Sequence, residues 1–133
     1  MKINCCWLYA ISRYGYPPSM EKTRKALRDM AEMGFEAGEL EGVREKNLVE
    51  VHASRRELRS LCGDLGLKII NFCPVLPDIV SMDRRRRLKA VRLFELGADM
   101  SVFLGSRFVQ IDSFTPPLVF RGVAPYKKAV RFN

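Results

Sequence analysis

Gly34-Phe35-Glu36-Ala37-Gly38-Glu39-Leu40-Glu41-Gly42 follows an amphipathic run that ends in Met30, Ala31 and Met33. Thr23, Leu27, Met30 and Ala31 stand at i, i+4, i+7 and i+8, the spacing of one buried helix face. Pro17 and Pro18 hold off helix until Ser19, a credible N-cap, and Gly34 is the glycine that stops it. A short strand then carries carboxylates at its far end. The same grammar recurs where Leu65-Gly66-Leu67 precedes Lys68-Ile69-Ile70-Asn71-Phe72-Cys73, and where Leu104-Gly105-Ser106 precedes Arg107-Phe108-Val109-Gln110-Ile111-Asp112. A glycine-closed helix followed by a buried strand, three times, predicts a repeating β/α chain.

Working outward, residues 3–8 are nearly all apolar and predict a first strand buried on both faces, with Trp7 and Tyr9 at its end. Residues 12–18 read as a loop. Residues 43–46 read as a polar connection. Asn47 and Glu50 have capping-box spacing for the next helix, whose stripe is Ser54, Leu58, Leu61, Cys62 and Leu65. Pro74 and Pro77 are expected to break the chain into a loop reaching about Met82, and Asp83 to open a longer helix. Gly97 and Ala98 mark an expected kink or break in that helix.

Strand, helix, strand, helix, strand, helix, strand predicts an α/β fold with a parallel sheet and right-handed crossovers. A small doubly wound sheet and the first half of a (β/α)8 barrel both fit this order. No GxGxxG follows the first strand and no GxxxxGK[ST] occurs, so the dinucleotide-binding and P-loop sheets lose support.

The totals bound the function. At 133 residues the chain fits one domain. Lys and Arg exceed Asp and Glu by 8, an excess that can mark a nucleic-acid partner. Its densest run, Arg84-Arg85-Arg86-Arg87, opens a helix and has no aromatic residues interleaved, which argues for a solvated face and against nucleic acid. No apolar run is long enough to span a membrane, and no secretory h-region opens the chain. Cys5, Cys6, Cys62 and Cys73 form no CxxC pair and read as reduced thiols of a cytoplasmic protein. His52 is the only histidine, so no multi-histidine metal site forms within one chain, and it reads as a surface residue.

Trp7 near the end of the first strand, Gly34-Phe35-Glu36-Ala37-Gly38-Glu39-Leu40, Leu65-Gly66-Leu67-Lys68-Ile69, the helix start Asp83-Arg84-Arg85-Arg86-Arg87-Leu88-Lys89-Ala90 and Leu104-Gly105-Ser106-Arg107-Phe108-Val109 together resemble the sugar phosphate isomerase/epimerase family of xylose-isomerase-like TIM barrels. The resemblance spans residues 1–112 and implies a partial TIM barrel of four strands and three main helices. Residues 113–133 would be an irregular tail with room for a short helix at 125–131. A complete barrel needs about 250 residues, so the resemblance is to an N-terminal half. It implies metal-dependent isomerisation or epimerisation of a sugar or sugar phosphate. The family's divalent metal is held by Glu, Asp, His and Glu side chains on later strands, so no metal ligand and no catalytic residue is carried over, and this chain alone is expected to bind no metal and to be catalytically incomplete.

Four residues are the expected substrate wall. Alternation puts Ala37, Glu39 and Glu41 on one face of their strand, and a carboxylate tolerated inside a barrel at the C-terminal end of a strand points to a site. Glu39 is the leading candidate, against a structural ion pair. Glu41, nearer the strand's exit, reads more as a solvated loop carboxylate. Trp7 has the position to stack on a sugar's apolar face, or to fill the core. Asp112 ends the last strand. Asn71 points inward or caps the following loop, and Ser113 has no identifiable base. Two other readings stand beside the isomerase: a non-catalytic half barrel that self-associates through its open sheet edges, and a metal-dependent abasic-site endonuclease of the same superfamily.

Overall fold

The computed structural model describes residues 3–113. The expected tail helix at 125–131 lies outside the described residues. Three parallel strands, β1 (Ala37–Val43), β2 (Lys68–Val75) and β3 (Phe108–Val109), form one sheet in sequence order. Five α-helices accompany them: α1 (Leu8–Tyr14), α2 (Met20–Glu32), α3 (Arg44–Ala53), α4 (Arg55–Asp64) and α5 (Arg84–Leu104). A 3-10 turn, Pro77–Val80, bridges β2 and α5.

The expected first strand is reduced to one bridge. Cys5 donates to the Ala37 carbonyl at 2.9 Å and accepts from the Glu39 amide at 3.1 Å, and pairs with Gly38 in parallel. By Trp7 the backbone is already helical, and α1 follows at once where a loop was expected. The chain turns because the Trp7 N–H finds the Glu39 carboxylate at 3.2 Å instead of a strand carbonyl. The last expected strand is likewise short, but its pairing continues. Gln110 donates to Phe72 at 3.1 Å, Asp112 donates to Pro74 at 3.1 Å, and Leu76 donates to Asp112 at 2.6 Å.

Helix α2 is the one expected. The Ser19 hydroxyl caps the Lys22 amide at 3.3 Å, and Thr23, Leu27 and Met30 are buried. Gly34 follows with φ +86, a left-handed value that favours glycine. The next crossover departs from expectation. Helix α3 begins at Arg44, directly after β1, without the polar connection. Asn47 sits inside that helix, and its Oδ1 accepts from the Val43 amide at 2.9 Å. It is a cap that works from the fourth helical position, not from the N-cap itself. The single helix read from the Ser54–Leu65 stripe is therefore two, α3 and α4, which meet at Ser54.

Helix α5 starts at Asp83, whose carboxylate accepts from Arg85 at 2.7 Å and Arg86 at 3.5 Å, and runs unbroken for 21 residues. The kink expected at Gly97 is absent. A Cβ there would lie 2.8 Å from Cγ of Pro74, so the glycine lets the helix close onto β2. Pro74 itself lies within β2 and does not end it. The main core gathers Trp7, Leu27, Met30, Leu40, Leu48, Leu58, Phe72 and Met100 between the sheet and its helices.

Candidate functional site

The sheet has a second face, turned away from that core. Parallel register brings Glu39 beside Asn71, Glu41 beside Cys73 and Val43 beside Val75. Asn71 pairs onward with Phe108, and Val75 with Asp112. The alternation that puts Leu40 and Phe72 in the core therefore puts Glu39, Glu41, Asn71, Cys73, Gln110 and Asp112 on the opposite face.

Glu39 is held there by hydrogen bonds. One carboxylate oxygen accepts from the Trp7 amide, and the other accepts from Asn71 Nδ2 at 3.4 Å. Asn71 Nδ2 also donates to Gln110 Oε1 at 3.1 Å, so three strand positions are tied across the face. Burial raises the Cys6 thiol, and the Glu39 carboxylate adds to that rise. Asn71 is 8% exposed, and its Oδ1 has no hydrogen-bond partner among the described residues.

Glu41 differs from the reading of a solvated loop carboxylate. It lies within β1, half-buried, and its Oε2 is buried without a hydrogen-bond partner. Burial, then the Asp112 and Glu39 charges, push its carboxyl up to about 7. The same negative field acts on its neighbours. Burial, then Glu41, Asp112 and Glu39, push the Cys73 thiol up to about 12. Burial, then Glu41 and Asp112, raise the Tyr16 phenol, with Arg44 opposing them. Arg44 takes φ +52 where β1 turns into α3, a conformation costly for a residue with a side chain.

Of the other residues weighed from the sequence, Asp112 shares this face, and the side chains of Trp7, Tyr9 and His52 do not. Trp7 is 2% exposed and packs in the core, with its indole N–H unpaired among the described residues. The Tyr9 hydroxyl donates to Asp29 at 2.9 Å, which ties α1 to α2. Asp112 holds its place through the two backbone bonds that extend the sheet. His52 is half-buried, 3.3 Å from the Arg55 guanidinium, and burial followed by that charge lowers its pKa. Gln110 and Cys73 had not been singled out from the sequence. Their signal was the period of two that joins them to Asp112 and Asn71.

No protein-family model and no curated protein matches the chain. Among solved structures, AsbF of Bacillus anthracis, described as a probable 3-DHS dehydratase involved in petrobactin synthesis, is similar with a TM-score of 0.53 and 21% identity. The described residues form part of a β/α barrel. The likeness covers 84% of this chain and 38% of AsbF, so this chain spans well under half of that protein's length.

In that frame the face carrying Glu39 and Glu41 is the inner side of a partial barrel, with Glu41 toward the C-terminal end of β1 and Asp112 just past β3. The residues present do not fit a divalent metal. Among the described residues no three His, Cys, Asp or Glu side chains are grouped to hold one, and Glu39 is committed to Trp7 and Asn71. Among the described residues no helix is long and apolar enough to cross a membrane.

Proposed function

We propose that this chain supplies the N-terminal wall of a site that processes a sugar or sugar-like polyhydroxy compound, in the isomerase/epimerase manner its motifs resemble. The observation that carries this reading is Glu41, a carboxyl with an unpaired buried oxygen and a pKa near neutrality, on the inner face of a barrel strand. Such a group holds a proton at pH 7 about as often as not, which suits it to give or take one beside a carbonyl. Asn71 Oδ1 offers an acceptor to a substrate hydroxyl, and Glu39 is a positioning residue that orients Asn71. That AsbF is a probable dehydratase of 3-DHS supports a small oxygenated substrate for the fold, and no more. The roles are those of the side chains alone. A divalent metal, in a whole barrel of this family, would sit on later strands.

The test is binding read by NMR. D-xylose and D-fructose are titrated against the chain while the Asn71 side-chain amide is followed. Saturable shifts that weaken about tenfold in Asn71→Ala, the loss expected of one hydrogen bond to a buried acceptor, support the reading. No saturable shift with either sugar, or an Asn71→Ala chain that binds as well as the parent, ends it.

A second reading has its own observation. Phe108, Val109 and Ile111 are 62%, 41% and 43% exposed along the last strand of the sheet, and Ile3 is 65% exposed at the other edge. Two open edges with apolar side chains invite a second copy to close the barrel. Light scattering across a wide concentration range tests this. A dimer that dissociates in Phe108→Glu supports closure, and a strict monomer at high concentration removes it.

A further inference from the structure

At the end of the sheet opposite Glu41 and Asp112, a groove of about 510 Å³ opens between the last turns of α4 and α5 and the first residues of β2 and β3. Its floor is apolar: Cys62, Leu67 and Ile69 are buried beneath it. Its rim carries Arg59, Lys68 and Arg107, all exposed. No acidic side chain lines it, and none of the three cations makes an ion pair among the described residues. Among the described residues, the ring contact of the three is that of Arg59, whose guanidinium lies 5.2 Å from the Phe103 ring centroid.

A second basic groove among the described residues has its cations paired. There, in about 360 Å³, Arg86 pairs with Asp78 at 3.0 Å and Lys89 pairs with Glu45. At the Arg59 groove the compensating charge is smaller. Two helix C-termini contribute about half a negative charge each, well short of three cations. Residues 114–133 contain no Asp or Glu, so no acidic side chain from them completes the balance.

We propose that this groove binds a small phosphate-bearing molecule with an apolar body. The two guanidinium forks and the Lys68 ammonium hold the phosphate oxygens at the rim, and the apolar portion lies over Leu67 and Ile69. The site is independent of the acidic inner wall and of the activity proposed for it.

Phenyl phosphate is the probe, with inorganic phosphate and phenol as its two halves. The Gly63 and Gly105 amides, both at the groove, report binding by NMR. Phenyl phosphate shifts them saturably with a Kd of about 1 mM or tighter, and each half binds at least about fivefold more weakly. Lys68→Gln combined with Arg107→Gln weakens phenyl phosphate about tenfold or more while the melting temperature holds, since both side chains are exposed and unbonded. Raising salt from about 50 to about 200 mM weakens it as well. The proposal is overturned by the absence of a saturable shift at these glycines, by inorganic phosphate binding as tightly as phenyl phosphate, or by a double variant that binds like the parent. A short single-stranded oligonucleotide that outcompetes phenyl phosphate there also overturns it, and makes the groove a nucleic-acid contact instead.

Discussion

Glu39 and Glu41 are two residues apart on one strand and share a face, yet they have different electrostatic lives. Glu39 has donors for both oxygens, from the Trp7 amide and Asn71. Glu41 has a buried oxygen with none, and two carboxylates near it. Truncating Glu39 to Ala leaves the Trp7 N–H and one Asn71 donor unpaired, so we expect a loss of about 2 kcal/mol in urea unfolding. A change under about 0.5 kcal/mol would mean those bonds are replaced by water. Glu41 works in the other direction. Its folded pKa of about 7 lies above its ordinary 4.5, so the folded state holds a proton that the unfolded state gives up. Stability therefore falls as pH rises from 4.5 through 7, and the loss is complete above that window. Discounted for partial exposure, the effect is about 1–2 kcal/mol. Glu41→Gln should flatten this slope and be the more stable protein at pH 8. A parent chain with equal stability at pH 5 and pH 8 would remove the electrostatic basis of the site.

At the scale of elements, the crossovers decide how the face is presented. Helix α5 lies on β2 through Gly97, with Pro74 against the space a side chain would fill. Gly97→Ala raises helix propensity by about 1 kcal/mol but forces helix and strand apart. We expect the overpacking to win, with a net loss of about 1–2 kcal/mol seen as a lower denaturant midpoint at unchanged slope. A stabilised variant would show that Pro74 yields freely. The α3–α4 break was hidden in the sequence because the Ser54, Leu58, Leu61, Cys62 and Leu65 stripe describes only the second helix well. Asn47 was read as a cap and does cap, but from inside α3, since its side chain reaches back to the Val43 amide. Capping chemistry is local. Which residue begins the helix depends on where β1 stops, and that is set by its partner β2.

The described residues form a sheet with one face packed under helices and the other lined with polar groups. That inner face is one wall of a barrel. In the isolated 133-residue chain, Mg2+, Mn2+ or Co2+ together with xylose, glucose or fructose should give no turnover, because the described donors do not converge on a metal. Measurable isomerisation by this chain, alone or as a dimer, would mean that the proton transfer proposed for Glu41 proceeds without the later strands. Among the described residues, basic side chains occur in two kinds of surroundings. At one groove the cations are matched by acids, and at the other they are not. Net charge alone could not separate these, since ion pairing is a matter of ångströms between side chains distant in the chain.

The sequence by itself determined the β/α repeat, the parallel order of strands, the Ser19 and Asp83 caps, the left-handed glycines at 34, 66 and 105, and the shared face of Glu39 and Glu41. All of these follow from local periodicity and backbone sterics, which a single stretch of chain carries within itself. Tertiary structure decided the rest. It shortened the first strand to Cys5 by offering Trp7 a carboxylate in place of a carbonyl. It made Gly97 a point of close approach, not a kink. It gave the two glutamates different surroundings, because the nearness of Asp112 to Glu41 comes from a segment some 70 residues away in the chain, and desolvation is a property of what surrounds a group and not of its neighbours in sequence.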